Sequence, residues 1–410
     1  MTSQPQPVDT APARRPLFAD WLAHSNDVTS VFLAAGQNPD LVNLAGGLPE
    51  PALWPVEELA ELAAEAVRNH PTETLAYGPI PGLPALRDLI AQRFSAPGLE
   101  LSRDNVLITT AGMQALELVG KVLLEPGATI AAQSPAYLGA LDAWMPRAPR
   151  YRPMRIGADG FDPHRALAGA QFAYTVPNFS NPSGRLVTLA ERHALVEAAH
   201  DTGTWLVEDD PYGVLYYDGN PLPRMLTLSA ARAPGRYDGP VVYMGSLSKE
   251  LTPGLRLGWV IAAPEMIAAL ATAKQGSDMC SSGLSQMLAL GAFRRRIPER
   301  ILPQMLATYR ERRDALCDAL QTHLAGHLDW QRPAGGMFVW ARARDPRLDS
   351  DRLLHRALAQ GVCISPSSVF DPEGLDRGAM RLNFTLNPPD RLEEGVRRLA
   401  AAIHATLEEG

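Results

Sequence analysis

Between Val106 and Ala263 the chain repeats one pattern: a short apolar run, then a helical stretch, then another run. The runs are "VLITT", "TIAAQS", "FAYTVP", "WLVEDD", "VVYMGS" and "LGWVIAA". Several are apolar at nearly every position, which suits strands covered on both faces. Between them stand helical patterns such as "GMQALELVGKVLL" and "LAERHALVEAAHDTG". The second has a defined start, because Thr188 and Glu191 have the spacing of a capping box. Gly203 marks its end. Strand–helix alternation of this kind dictates an α/β domain with a mainly parallel sheet.

The pattern changes after about Arg295. A long helical stretch, "PERILPQMLATYRERRDALCDALQTHL", leads to "GGMFVWAR", "DRLLHRALAQG", "AMRLNFT" and a closing helix from "PDRLEEG" onward. Fewer strands and more helices imply a smaller α+β domain. The expected division is a loose tail over 1–20, a large domain over 56–295, and a small domain from 21–55 with 296–410. A chain of 410 residues has room for both cores.

Composition excludes several functions. A net charge of −7 offers nucleic acid no basic surface. The three cysteines, Cys280, Cys317 and Cys363, are scattered, so reduced thiols in the cytoplasm are expected. The nine histidines form no HExxH or similar spacing, and no metal site is expected. The Pro-rich start lacks the apolar core of a signal peptide. The most apolar later stretch, "LGWVIAAPEMIAALATA", is broken by Pro264 and Glu265, so no membrane span is expected.

In open α/β sheets, ligands bind beyond the carboxyl ends of the strands. The residues following the apolar runs are therefore candidates: "TTAGMQ", "QSPAY", "PNFSNPSG", "EDDPY" and "GSLSK". Lys249 stands out because the chain has only three lysines, Lys121, Lys249 and Lys274. Its neighbours Ser246 and Ser248 offer hydroxyls, and Arg256 offers a planar fork suited to phosphate. An amine beside a phosphate site points to a Schiff base with an aldehyde cofactor that carries a phosphate, namely pyridoxal phosphate.

That cofactor makes further demands. Its pyridine nitrogen needs a buried carboxylate, and "EDDPY" supplies Glu208, Asp209 and Asp210. Its phenolic oxygen needs donors, and Tyr212 and Asn181 are suitable by type. Its phosphate needs backbone amides, and Gly112, Met113 and Gln114 open a helix. Its ring needs a wall, and Tyr137 can stack on it. An amino acid substrate presents a carboxylate, for which Arg381 in "AMRLNF" is a candidate clamp.

At this point the chain resembles the fold-type I, class I/II pyridoxal-phosphate aminotransferases, on the branch of the 2-aminoadipate and kynurenine enzymes. The motifs that carry the resemblance run in order from "NLAGGLPEP" and "LAYGPIPGLPALRDLI" through "TAGMQAL", "SPAYLGAL", "PNFSNPSG" and "VEDDPYG" to "SLSKELTPGLRLGW", "GGMFVW" and "MRLNF". The resemblance implies a seven-stranded, mainly parallel sheet between helices and a ping-pong exchange of an amino group between an amino acid and a 2-oxo acid. It implies that Lys249 holds the cofactor and shuttles a proton, that Asp209 pairs with the pyridine nitrogen, and that Asn181 and Tyr212 hold the phenolic oxygen. Ser246, Ser248 and Arg256 would bind phosphate together with the Met113 and Gln114 amides. Arg381, helped by the backbone at Gly46 and Gly47, would clamp the substrate carboxylate. Tyr77 would reach the phosphate of a second subunit, which makes a homodimer with shared sites.

Two departures bear on the chemistry. Met113 stands where this branch usually has a small polar residue, so a hydroxyl contact to phosphate is lost. Ser30 stands where relatives often carry an arginine that meets an acidic substrate side chain, so a neutral side chain is expected. Other reactions at the amino acid α-carbon (decarboxylation, β-elimination, oxidation) use the same residue types. A ligand-sensing regulator would need a DNA-binding module, and only a short segment precedes "LFADWLAHS".

Overall fold

A computed structural model describes residues 18–24, 28–35, 38 and 40–408. Most of the expected N-terminal tail lies outside the described residues. The larger sheet has seven strands: β1 (Val106–Thr109), β2 (Thr129–Gln133), β3 (Arg150–Met154), β4 (Phe172–Thr175), β5 (Trp205–Asp209), β6 (Val241–Ser246) and β7 (Gly258–Ile261). Their order across the sheet is β1-β7-β6-β5-β4-β2-β3. All are parallel except β7, which runs antiparallel to both β1 and β6. Every residue of β1 and β4 is buried, and β2, β5 and β6 are buried at all but one end residue. Helices thus cover both faces, which explains the unbroken apolar runs.

Strand β3, "RYRPM", is not foreshadowed by any apolar run. It lies at the sheet edge, and only Met154 in it is buried. Edge strands carry charge and proline because their free side must not pair with another chain.

Helix α1 (Ala111–Leu123) follows β1 and helix α2 (Leu138–Trp144) follows β2. Helix α3 (Leu189–Thr202) has the expected capping box: the Thr188 hydroxyl accepts from the Glu191 amide, and the Glu191 carboxylate accepts from the Thr188 amide. It ends at Gly203 with φ 67°, a left-handed cap that glycine adopts without strain. Helix α4 (Pro264–Gln275) follows β7.

The smaller sheet has four strands: β8 (Leu328–Trp330), β9 (Phe338–Ala343), β10 (Ser365–Pro366) and β11 (Ala379–Asn383), in the order β8-β9-β11-β10. Helices α5 (Ile297–Leu324), α6 (Ser350–Ala359) and α7 (Pro389–Glu408) share its buried apolar core. A two-residue strand at Val42–Asn43 pairs in parallel with Val362–Cys363, so the segment near residue 42 joins this later part of the chain. Asn383 on β11 donates its amide to the Leu44 carbonyl at 2.7 Å, which extends that seam.

The capping box yields a test of local stability. Thr188→Ala removes one of its two reciprocal bonds and should cost about 1 kcal/mol. A lowered urea midpoint is expected, and an unchanged midpoint contradicts a stabilising cap.

Candidate active site

The carboxyl ends of β2, β4, β5 and β6 open onto one cavity of about 170 Å³. Strand β5 places the acidic run there. Successive side chains of a strand point to opposite faces. Glu208 points away from the cavity and accepts from the Met225 and Leu226 amides, both at 2.9 Å. Asp210 is held by the Asn178 side-chain amide at 2.7 Å and the Tyr243 hydroxyl at 3.1 Å. Asp209 alone of the three lines the cavity. Tyr174 donates to its Oδ2 at 2.8 Å. Burial pushes the Asp209 pKa up to about 7, against the Tyr174 hydrogen bond, which pulls it down.

Lys249 lies just past β6 and lines the same cavity. Its Nζ donates to the Gly47 carbonyl at 2.6 Å. Its pKa falls to about 8, chiefly through burial and then through the nearby guanidiniums of Arg381 and Arg256. A buried ammonium is costly, so the environment favours the neutral amine.

Arg381 sits on β11 and is 5 % exposed. Its guanidinium lies between two aromatic rings, 4.4 Å from the centre of Phe338 and 4.8 Å from that of Phe370. One nitrogen donates to Asn181 Oδ1 at 2.7 Å, and the other to the Ala45 carbonyl at 2.5 Å and Ser365 Oγ at 3.1 Å. Its Nε is buried without a hydrogen-bond partner among the described residues. Burial lowers its pKa to about 10, so it remains a cation at neutral pH. A clamped guanidinium with a spare buried donor suits a carboxylate ligand.

The phosphate candidates meet at the other end. Ser246 and Ser248 hydroxyls are 2.9 Å apart, and the Ser248 amide donates to Ser246 Oγ at 3.0 Å. Both line the cavity with Arg256, Gly112 and Met113. Arg256 is exposed and adopts φ 49°. Gly258 on β7 has no room for a side chain, because a Cβ there would lie 2.9 Å from the Ala111 backbone. That close approach holds the start of α1 against the strand.

Tyr137, Asn181 and Tyr212 also line the cavity. The Asn181 amide donates to the Tyr212 hydroxyl at 3.4 Å. Arg381, Gly46 and Gly47 adjoin the cavity through Asn181 and Lys249 without lining it, and Gln114 and Tyr77 also lie outside the lining. The Gln114 side chain turns back to accept from the Thr110 amide at 2.8 Å and is not part of the lining. Tyr77 is 87 % exposed and is not in the lining either. Gly46 donates its amide to Asn43 Oδ1 at 3.0 Å, while Gly47 meets Lys249 directly.

Sequence reasoning did not reach several supports. Gln133 Oε1 accepts from Thr175 Oγ1 at 2.7 Å and the Val176 amide at 2.9 Å, joining the ends of β2 and β4. Phe338, Phe370 and Ser365 hold Arg381, and Tyr174 holds Asp209. Phe338 lies in the quoted "GGMFVW", but only the packing reveals its partner.

This donor set fits pyridoxal phosphate at each end. It offers an amine for the aldehyde, a carboxylate oxygen for the ring nitrogen, and hydroxyls, amides and a cation for the phosphate. Asp209 Oδ1 receives no hydrogen bond among the described residues, which leaves it for a ring N–H. Among the described residues no group of His, Cys, Asp and Glu is arranged to hold a metal ion.

Comparison with known proteins agrees with this chemistry. The pattern of the family "Aminotransferase class I and II" matches residues 39–399. The 2-aminoadipate transaminase of Thermus thermophilus is 37 % identical over 92 % of this chain and 93 % of its own. Aromatic-amino-acid aminotransferase 1 of Thermococcus litoralis is 32 % identical, over 91 % and 90 %. Among solved structures, Thermus thermophilus LysN, an α-aminoadipate aminotransferase complexed with N-(5'-phosphopyridoxyl)-L-leucine, superposes with a TM-score of 0.87. It is 32 % identical and covers 96 % of this chain and 98 % of its own.

The lowered lysine pKa can be tested on the cofactor-free protein. Only the neutral amine reacts with trinitrobenzenesulfonate. At pH 7 roughly a tenth of an amine with pKa near 8 is neutral, against less than about one in a thousand for an ordinary lysine. Modification at Lys249, mapped by mass spectrometry, should therefore rise with pH to a midpoint near 8. A midpoint at the ordinary lysine value contradicts the burial argument.

Proposed function

The chain belongs to the class I and II aminotransferases, and from that premise we propose that Lys249, Asp209 and Arg381 form its reaction centre. The enzyme transfers an amino group between an amino acid and a 2-oxo acid with pyridoxal phosphate. When bound, that cofactor supplies an aldehyde that condenses with amines and a ring that draws electrons from the substrate α-carbon. The observation that carries the assignment is the convergence of a desolvated amine and a buried carboxylate on one cavity, beside a clamped guanidinium.

The residues divide the work by charge and position. Lys249, whose burial raises the share of neutral amine, would hold the aldehyde end of the cofactor and would serve as the base for the substrate α-proton. Asp209 holds a proton on the ring nitrogen. Asn181 and Tyr212 donate to the phenolic oxygen. Ser246, Ser248 and Arg256, with the amides at the start of α1, bind the phosphate. Gly112, Met113 and Gln114 contribute there through the backbone, since the Gln114 side chain is engaged at Thr110. Tyr137 walls the ring. Arg381 orients the substrate carboxylate, and the Gly46–Gly47 backbone closes over it.

The finer reading concerns the side chain accepted and the assembly. Ser30, exposed on the helix Val28–Ala35, brings no cation to the substrate. This supports a neutral side chain, and the leucine adduct in the Thermus structure is consistent with one. Leu75 and Tyr77 are 68 % and 87 % exposed, which supports a second copy covering them and a homodimer with shared sites. The cysteines Cys280, Cys317 and Cys363 are unpaired, which supports a reducing, cytoplasmic setting. Among the described residues no helix is long and apolar enough to cross a membrane.

Two variants separate the roles. Lys249→Ala should lower turnover by at least about 10³-fold, because it removes both capture and proton transfer. Arg381→Ala should raise KM for the amino acid by about ten- to a hundredfold, the weight of a charge-assisted hydrogen bond. Steady-state kinetics with a panel of neutral and acidic amino acids reads both. Wild-type turnover in Lys249→Ala, or an unmoved KM in Arg381→Ala, overturns the assignment. Sedimentation should return a dimer, and a monomer with full activity contradicts the shared site.

A further inference from the structure

We propose that Tyr174 is a positioning residue that keeps Asp209 ionised and aims its free oxygen at the cofactor's ring nitrogen. The inference rests on the reading of Asp209 given above and extends it to a residue of another strand.

Tyr174 is fully buried on β4, the strand beside β5. Its register partner on β5 is Val207, two residues before Asp209, so both side chains stand on the same face of the sheet. The hydroxyl donates to Asp209 Oδ2 at 2.8 Å. The ring cannot swing away, because Trp144 packs edge-on against it with centroids 5.0 Å apart. Trp144 is itself fixed by an indole N–H bond to the Leu116 carbonyl at 2.8 Å. The phenol is thus rigid from behind, and its one polar atom is spent on one carboxylate oxygen.

The charges around Asp209 show why a donor is needed. Asp210 follows it just past the end of β5, and burial together with Asp210 raises its pKa. Tyr137, beyond β2, and Tyr212, beyond β5, face it as neutral phenols. Among these groups only Tyr174 donates to the carboxylate. Burial and Asp209 raise the phenol's own pKa well above the ordinary value, so Tyr174 stays protonated and acts as donor. The proton between Asp209 and the ring nitrogen then rests on nitrogen. Without the phenol it moves toward the carboxylate, and the ring withdraws electrons less strongly.

The test uses the holoenzyme loaded with pyridoxal phosphate labelled with nitrogen-15 in the ring. Nitrogen NMR at neutral pH reads whether that nitrogen carries the proton. Three forms are compared: wild type, Tyr174→Phe and Asp209→Asn. The expected result is a protonated nitrogen in wild type, an unprotonated one in Asp209→Asn, and a shift toward the unprotonated position in Tyr174→Phe. The half-reaction with an amino acid should slow by about tenfold in Tyr174→Phe, with KM unchanged because Arg381 is untouched. If Asp209→Asn loses the proton while Tyr174→Phe matches wild type, the role of Tyr174 is wrong and that of Asp209 stands. If Asp209→Asn keeps the proton, the Asp209 reading fails and the inference with it. Carbon-13 placed at Tyr174 Cζ gives a readout that does not depend on how Tyr174→Phe folds. Its resonance should move between wild type and Asp209→Asn, and no movement overturns the inference.

Discussion

The pleat of strand β5 decides which of three neighbouring acids faces the cavity. Three acidic residues in a row cannot all face a ligand, because a strand turns alternate side chains to opposite faces. Glu208 and Asp210 face away from the cavity and are absorbed by backbone amides, an asparagine and a tyrosine. Asp209 faces the cavity with one oxygen engaged by Tyr174. A slip of one residue in register would exchange these roles. It would leave two carboxylates in the cavity and one behind it.

Around that carboxylate the site is built to receive anions. Lys249, Arg256 and Arg381 bring cationic groups, and burial lowers the pKa of the lysine and of Arg381. A buried cation without a partner is costly. Here Arg381 is stabilised by two aromatic rings and three acceptors, yet its Nε remains without a partner among the described residues. On the proposed reading, a phosphate at one end and a substrate carboxylate at the other would supply the missing negative charge. The amine lies on the same cavity, and burial, then the field of the two guanidiniums, raises the share of its neutral, reactive form.

Much of this was legible in the sequence because it rests on local rules. Buried parallel strands need unbroken apolar runs, so six of the seven large-sheet strands announced themselves. The Thr188–Glu191 box and Gly203 marked both ends of α3. Strand β3 was silent because an edge strand is selected for charge and proline. The candidate site was legible as a set of residue types at strand ends, together with the ordered motifs of a family. What stayed hidden were the partners brought in from elsewhere in the fold. Phe370 reaches Arg381 from a segment before β11, Tyr174 reaches Asp209 across the sheet, and Gln133 ties β2 to β4. No spacing in the chain encodes such contacts, since they depend on strand order and on which face each residue occupies. The Gln114 side chain is likewise settled by the fold: it accepts from the Thr110 amide, which leaves the expectation for its backbone amide untouched.

The central claim is that one of three lysines is the amine that holds the cofactor. Borohydride reduction of the holoenzyme fixes pyridoxal phosphate permanently to whichever amine carries it, and peptide mapping then locates the tag. The account predicts a single tagged site at Lys249. A tag on Lys121 or Lys274, with Lys249 unmodified, would contradict it.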